Sequence, residues 1–147
     1  MEFREFLEKP RLYGERIRQL QDRYEMLSAR SGYVRSEPSQ TPKAKSSYLS
    51  SVTENYVARM AECENLIAQF TAARDAACAD LILLFSELED GRQMKVLAMR
   101  YVDLQSFDEI AQTLRYSSQH VFRLHKAGLE AAEKLYLKRR EYDESTI

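Results

Sequence analysis

QSFDEIAQTLRYSSQHVFRLHKAGL, residues 105–129, is the stretch whose reading decides the fold. It holds two short amphipathic helices separated by a tight turn. Ser106 can cap the first helix, and Glu109, three residues on, completes a capping box. Ile110, Ala111 and Leu114 supply the buried face of that helix. Arg115 and Tyr116 make the turn, and Ser117 caps the second helix. Val121, Leu124, Gly128 and Leu129 then recur at helical spacing on one side. The other side carries Ser118, Gln119, His120, Phe122, Arg123 and Lys126, most of them hydrogen-bonding or cationic. Such a face suits a helix in the DNA major groove, where base edges offer donors and acceptors. The same pattern also satisfies a plain αα-hairpin in a bundle. The one-turn separation favours the helix-turn-helix, because helices joined this tightly often meet near a right angle.

A longer segment carries a family resemblance. Residues 94–129 run MKVLAMRYVDLQSFDEIAQTLRYSSQHVFRLHKAGL. A helix ending in LAMRY precedes a loop, then S-x-x-E-I-A-x-x-L, then a serine-capped helix with V-x-x-L-x-x-x-x-L. This order resembles region 4 of bacterial sigma-70-type factors, the module that reads the upstream promoter element. The layout of the whole chain is similar to small sigma-region-4-like proteins of Gram-positive phages and prophages. The resemblance implies a phage-type transcriptional regulator. Two positions depart from the family pattern. Arg115 stands at a turn position often held by Gly or an acidic residue, and it tolerates a left-handed backbone less readily. The start of the second helix is Ser118, Gln119 and His120, where true sigma factors are strongly basic.

Composition agrees with an all-α protein. The 147-residue chain suits one domain or two small subdomains, and an apolar fraction of 44% is enough for a core. Gly and Pro are few, and no alternating β-branched run appears. Neither a signal peptide nor a membrane-spanning segment is expected, and DLILLF (residues 80–85) reads as a buried helix segment. A cytoplasmic protein of a bacterial host cell, without a membrane partner, is the expectation. A net charge of −1 argues against a non-specific nucleic-acid coat. From Asp90 onward ten Lys and Arg face nine Asp and Glu, so any electrostatic footprint must come from local sorting of charge. Arg115, Arg123 and Lys126 are candidates for it, with Lys134, Lys138, Arg139 and Arg140 beyond, where a solvated helix end is the commoner outcome.

No catalytic or cofactor chemistry is legible. No phosphate loop, nucleophile elbow or metal-ligand spacing occurs, so neither an enzyme nor a cofactor is expected. His120 and His125 lie five apart and do not face a common metal, and no metal site is expected. If Cys63 and Cys78 share one helix, they stand roughly 22 Å apart at 1.5 Å per residue. That is too far for a disulfide.

The N-terminal half reads as a long antiparallel helical, coiled-coil-like region over residues 1–88. Pro10 divides a lead-in from a longer helix. Tyr13, Ile17, Leu20, Tyr24 and Leu27 form a heptad seam that Gly32 ends. Residues 31–48, polar and holding two of the three prolines, read as a mobile connection. A second helix spans residues 49–88, with Val52, Tyr56, Met60, Cys63, Ile67 and Phe70 in its stripe. It is too long for the first helix to cover. The unmatched seam must pack internally or against another chain, and a homodimer through the long helices is the expected form. Residues 89–142 form the helix-turn-helix domain: Asp90 caps a helix over 92–102, and a last helix runs from Ser118 to about Tyr142 and packs back on residues 80–100. Residues 143–147 form a disordered tail.

The expected function is a sequence-specific DNA-binding regulator of transcription, acting on double-stranded DNA. Gln119 would pair with adenine, Arg123 with guanine, and Phe122 would touch a thymine methyl. Ser117, Ser118 and Lys126 would hold phosphates with the help of helix N-terminal amides. Packing against a neighbour is the competing role for Phe122. Two other functions fit the same features. One is a helical interaction protein that docks on RNA polymerase or another partner without reading bases. The other is a small-terminase-like adaptor of phage DNA packaging, which also joins such a motif to oligomerising helices.

Overall fold

A computed structural model describes residues 1–36 and 43–146. Those residues form five α-helices and no strand: α1 (Phe3–Ser36), α2 (Lys43–Ser86), α3 (Gly91–Tyr101), α4 (Phe107–Leu114) and α5 (Ser118–Thr146). The protein is all-α. Among the described residues, no helix is long and apolar enough to cross a membrane.

Two expectations about α1 are corrected. The helix runs unbroken through Pro10, and it continues past Gly32 to Ser36. Pro10 has no N–H to offer the Phe6 carbonyl, but its ring is fully buried, and that burial offsets the missing bond. Gly32 costs only about 1 kcal/mol relative to Ala inside a helix, and Leu27 and Ser31 just before it are buried. The prolines punctuate the chain more strongly: α1 ends two residues before Pro38, and α2 begins directly after Pro42. The connection expected over 31–48 is therefore helical at 31–36 and 43–48, and its remainder lies outside the described residues. The last helix also runs further than expected, through most of the tail, to Thr146.

Packing divides the chain into two compact units, residues 1–12 with 74–147, and residues 13–73. The expected boundary at residue 88 falls inside the first of these. Leu88 is buried there with Leu7, Leu81, Leu84, Phe85, Leu97 and Ala132. Leu129, Leu135 and Tyr136 of α5 pack on the same cluster, so the distal half of that helix does return to residues 80–100. A second cluster joins Val96, Ile110, Ala111, Val121 and Leu124, with Tyr116 and Phe107 at its edge. The neighbours Val96 and Leu97 thus place α3 between both clusters. Gly128 permits this approach: a Cβ there would lie 3.1 Å from Leu97 Cδ1 and 3.3 Å from Gln93 Cβ. In the same unit Asp90 caps α3 by accepting from the Arg92 N–H at 2.9 Å, a bond that holds its carboxyl below the ordinary range.

The second unit has a much smaller dry interior. Among its described side chains only Ile17, Leu27, Ser31 and Cys63 are buried. Tyr13 sets its ring 6.1 Å from that of Phe70. Glu64 accepts a hydrogen bond from the Tyr24 hydroxyl and, with its charge, raises the tyrosine above its ordinary range. Cys63 and Cys78 are both free thiols.

Candidate nucleic-acid interface

The α4–α5 corner is built by short-range contacts that the sequence spells out. Ser106 Oγ accepts from the Glu109 N–H at 3.1 Å, and the Glu109 carboxylate accepts from the Ser106 N–H at 3.1 Å. Such reciprocal caps contribute on the order of 1 kcal/mol. Arg115 closes α4 in the left-handed region, at φ 58° and ψ 42°. The Tyr116 N–H donates back to the Ala111 carbonyl at 3.0 Å. With both Tyr116 and Ala111 in the second cluster, this has the form of a Schellman closure. A left-handed residue here is normally glycine, so arginine carries about 1–2 kcal/mol of backbone cost. Ser117 Oγ then accepts from the His120 N–H at 3.2 Å and opens α5.

Burial sorts the first turns of α5 as the spacing requires. Val121, Leu124 and Gly128 face inward. Ser117, Ser118, Gln119, Arg123 and Lys126 are exposed, as is Arg115 in the turn. Among the described residues none of the Arg115, Gln119, Arg123 and Lys126 side chains has a hydrogen-bond or ion-pair partner. His120 is half-buried, its ring edge against Tyr116 at 4.8 Å. Phe122 is 51% exposed, yet its ring lies 4.9 Å from that of Phe107. One face of the phenyl ring is thus fixed and the remainder is open. No family model, curated protein or solved structure matches the chain.

The distal cations behave differently. Arg139 is paired with Glu87, while Arg140 donates to the Met1 carbonyl at 3.1 Å and to Glu144 at 3.4 Å. These groups are committed to contacts within the first unit. The exposed cations nearest the Ser117 cap are Arg115, Arg123 and Lys126, and they lie within one short arc of chain.

Behind this face sits a cluster that periodicity alone does not reveal. Arg100 places its guanidinium 4.4 Å over the Phe107 ring and donates to the Gln105 carbonyl at 3.0 Å. His125 meets Phe107 edge-on at 4.9 Å, and its Nε2 lies 2.8 Å from the Tyr101 hydroxyl. Burial first, and the Arg100 charge second, push His125 below its ordinary pKa, while burial raises Tyr101. Both effects favour the neutral ring. Phe107, the ring that meets Phe122, is held between Arg100 and His125. The only hint in the sequence is that His125 follows Phe122 by three, on an adjoining part of one helix face.

Proposed function

We propose that the protein is a sequence-specific DNA-binding regulator of transcription, of the sigma-region-4-like, phage type, and that residues 89–142 act as a helix-turn-helix. Support comes from one observation above all: the capped, tightly joined pair α4–α5 leaves Gln119, Arg123 and Lys126 exposed and unpartnered at the start of a helix whose other side is buried. In this reading the start of α5 enters the major groove. Gln119 pairs with adenine and Arg123 with guanine, each by two parallel hydrogen bonds. The Ser117 and Ser118 hydroxyls, with the amides of the first turn and the Arg115 and Lys126 charges, hold phosphates. Phe122, with one face on Phe107, offers its open edge to a thymine methyl. His120 stands beside Tyr116 at the rim of the contact. The long helices of residues 13–73 form a hairpin that brings two copies together, so that two such corners meet one DNA site.

A specific observation keeps a second reading in view. A half-exposed phenylalanine on a face whose nearby cations in the chain are Arg115, Arg123 and Lys126 is also a fitting anchor for a protein surface such as RNA polymerase. Fluorescence anisotropy with a mixed-sequence duplex at low salt separates the two. The DNA reading expects binding that weakens steeply as salt rises. Absence of binding at low salt would overturn it and leave the protein-docking reading.

A further inference from the structure

Residues 13–73 bury few side chains for their length, and one side of α1 there carries a groove of about 600 Å³. Leu20, Leu66, Phe70 and the half-exposed Met26 are its apolar lining. Along its α1 edge stand Arg16, Gln19, Asp22 and Arg23, all exposed. Their spacing of three and four places them on one side of the helix. Among the described residues Arg16, Asp22 and Arg23 make no ion pair.

The order of charges along this edge is complementary to itself when reversed. In an antiparallel pair of α1 helices with the two-fold axis at Gln19, Arg16 meets the partner's Asp22, and Asp22 meets the partner's Arg16. Gln19 meets its own copy. A two-fold interface must show this reciprocity, since residue i contacts j while j contacts i. A pattern with like charges at the mirrored positions would give repulsion when so reversed.

We infer that the groove is the seat of a second copy of this chain, with α1 packed antiparallel on α1 about Gln19, so that Leu20, Met26, Leu66 and Phe70 are covered in the dimer. The inference rests on the proposed self-association of the long helices and adds the face and the register. It does not depend on DNA binding.

Charge reversal tests the register. Arg16→Glu sets two like-charge pairs in the dimer, one at each symmetry-related position. Asp22→Arg does the same with opposite sign, and the double variant Arg16→Glu with Asp22→Arg restores attraction. Both positions of change are exposed, and unchanged far-ultraviolet circular dichroism would show that the helices persist. In sedimentation equilibrium at low salt, each single reversal should weaken the dimer roughly tenfold, and the double variant should recover most of the loss. A wild-type dimer whose affinity is the same in all three variants would overturn this register and leave self-association through another surface standing. A wild-type chain that stays monomeric at high concentration would overturn both, and would leave the groove to a helix of another protein.

Discussion

Replacing Arg115 by glycine should make the protein more stable and, at the same time, a weaker DNA binder. Arg115 holds φ at 58° to close α4. A residue with a Cβ pays about 1–2 kcal/mol for that backbone, and glycine removes the penalty. Glycine also loosens the unfolded chain, by up to about 1 kcal/mol. Alanine is the right reference because it keeps the strain and removes the charge. Arg115→Gly should therefore exceed Arg115→Ala in stability by about 1 kcal/mol. In urea that is a shift of the unfolding midpoint of roughly 0.5 M at a typical slope. In DNA binding the two variants should match each other. Each would lose the proposed phosphate contact, which should lower the slope of log affinity against log salt by about 0.9. Equal midpoints for Gly and Ala would refute the left-handed closure. A slope equal to that of the wild type would refute the phosphate contact while leaving the backbone account untouched.

Other outcomes follow from the first unit. His125 has its folded pKa lowered by burial and by Arg100, so the native state favours the neutral ring. The stability this confers is present above the unfolded pKa of about 6.5 and is lost as pH falls below it. Unfolding followed from pH 7.5 to 5 should show this decline, and His125→Gln should flatten it; an identical decline in the variant would reject the assignment. Gly128→Val should lower stability by about 1–3 kcal/mol through overpacking, because its Cβ alone would sit 3.1 Å from the buried Leu97. A urea midpoint unchanged by that substitution would mean that α3 and α5 do not meet so closely. Ser106→Ala should cost about 1 kcal/mol by removing half of the capping box, again read from the urea midpoint, and no loss would discount the cap.

The parts of this architecture that were legible in the sequence are those fixed by neighbours three or four residues apart. Asp90, Ser106 with Glu109, and Ser117 each satisfy orphan helix amides locally, so a reader of the chain can place α3, α4 and the start of α5. The buried and exposed sides of α5 follow from its period in the same way. Tertiary packing decided the rest. Pro10 looks like a break, but its buried ring keeps α1 continuous. Leu7 and Leu88 are far apart in sequence and share one core, so no local signal marks where one compact unit ends and the other begins. The cluster around Phe107 was equally hidden. Phe107, Tyr101 and His125 meet across separations that no helical period encodes, and the spacing of His125 from His120 speaks only against a shared metal. The outward face could be named in advance. Its role could be narrowed only after packing showed which cations are already spent, as Arg139 and Arg140 are.

The proposed function requires that the start of α5 read base edges. Enrichment of a random duplex pool by the wild-type protein, set beside enrichment by Arg123→Ala under the same low-salt conditions, tests it most directly. The wild type should select a defined site containing a guanine whose preference disappears in the variant. Discrimination at that position should fall by about 1–3 kcal/mol, while discrimination elsewhere in the site survives. Retention of no duplex, or selection of the same sequences by both proteins, would contradict it.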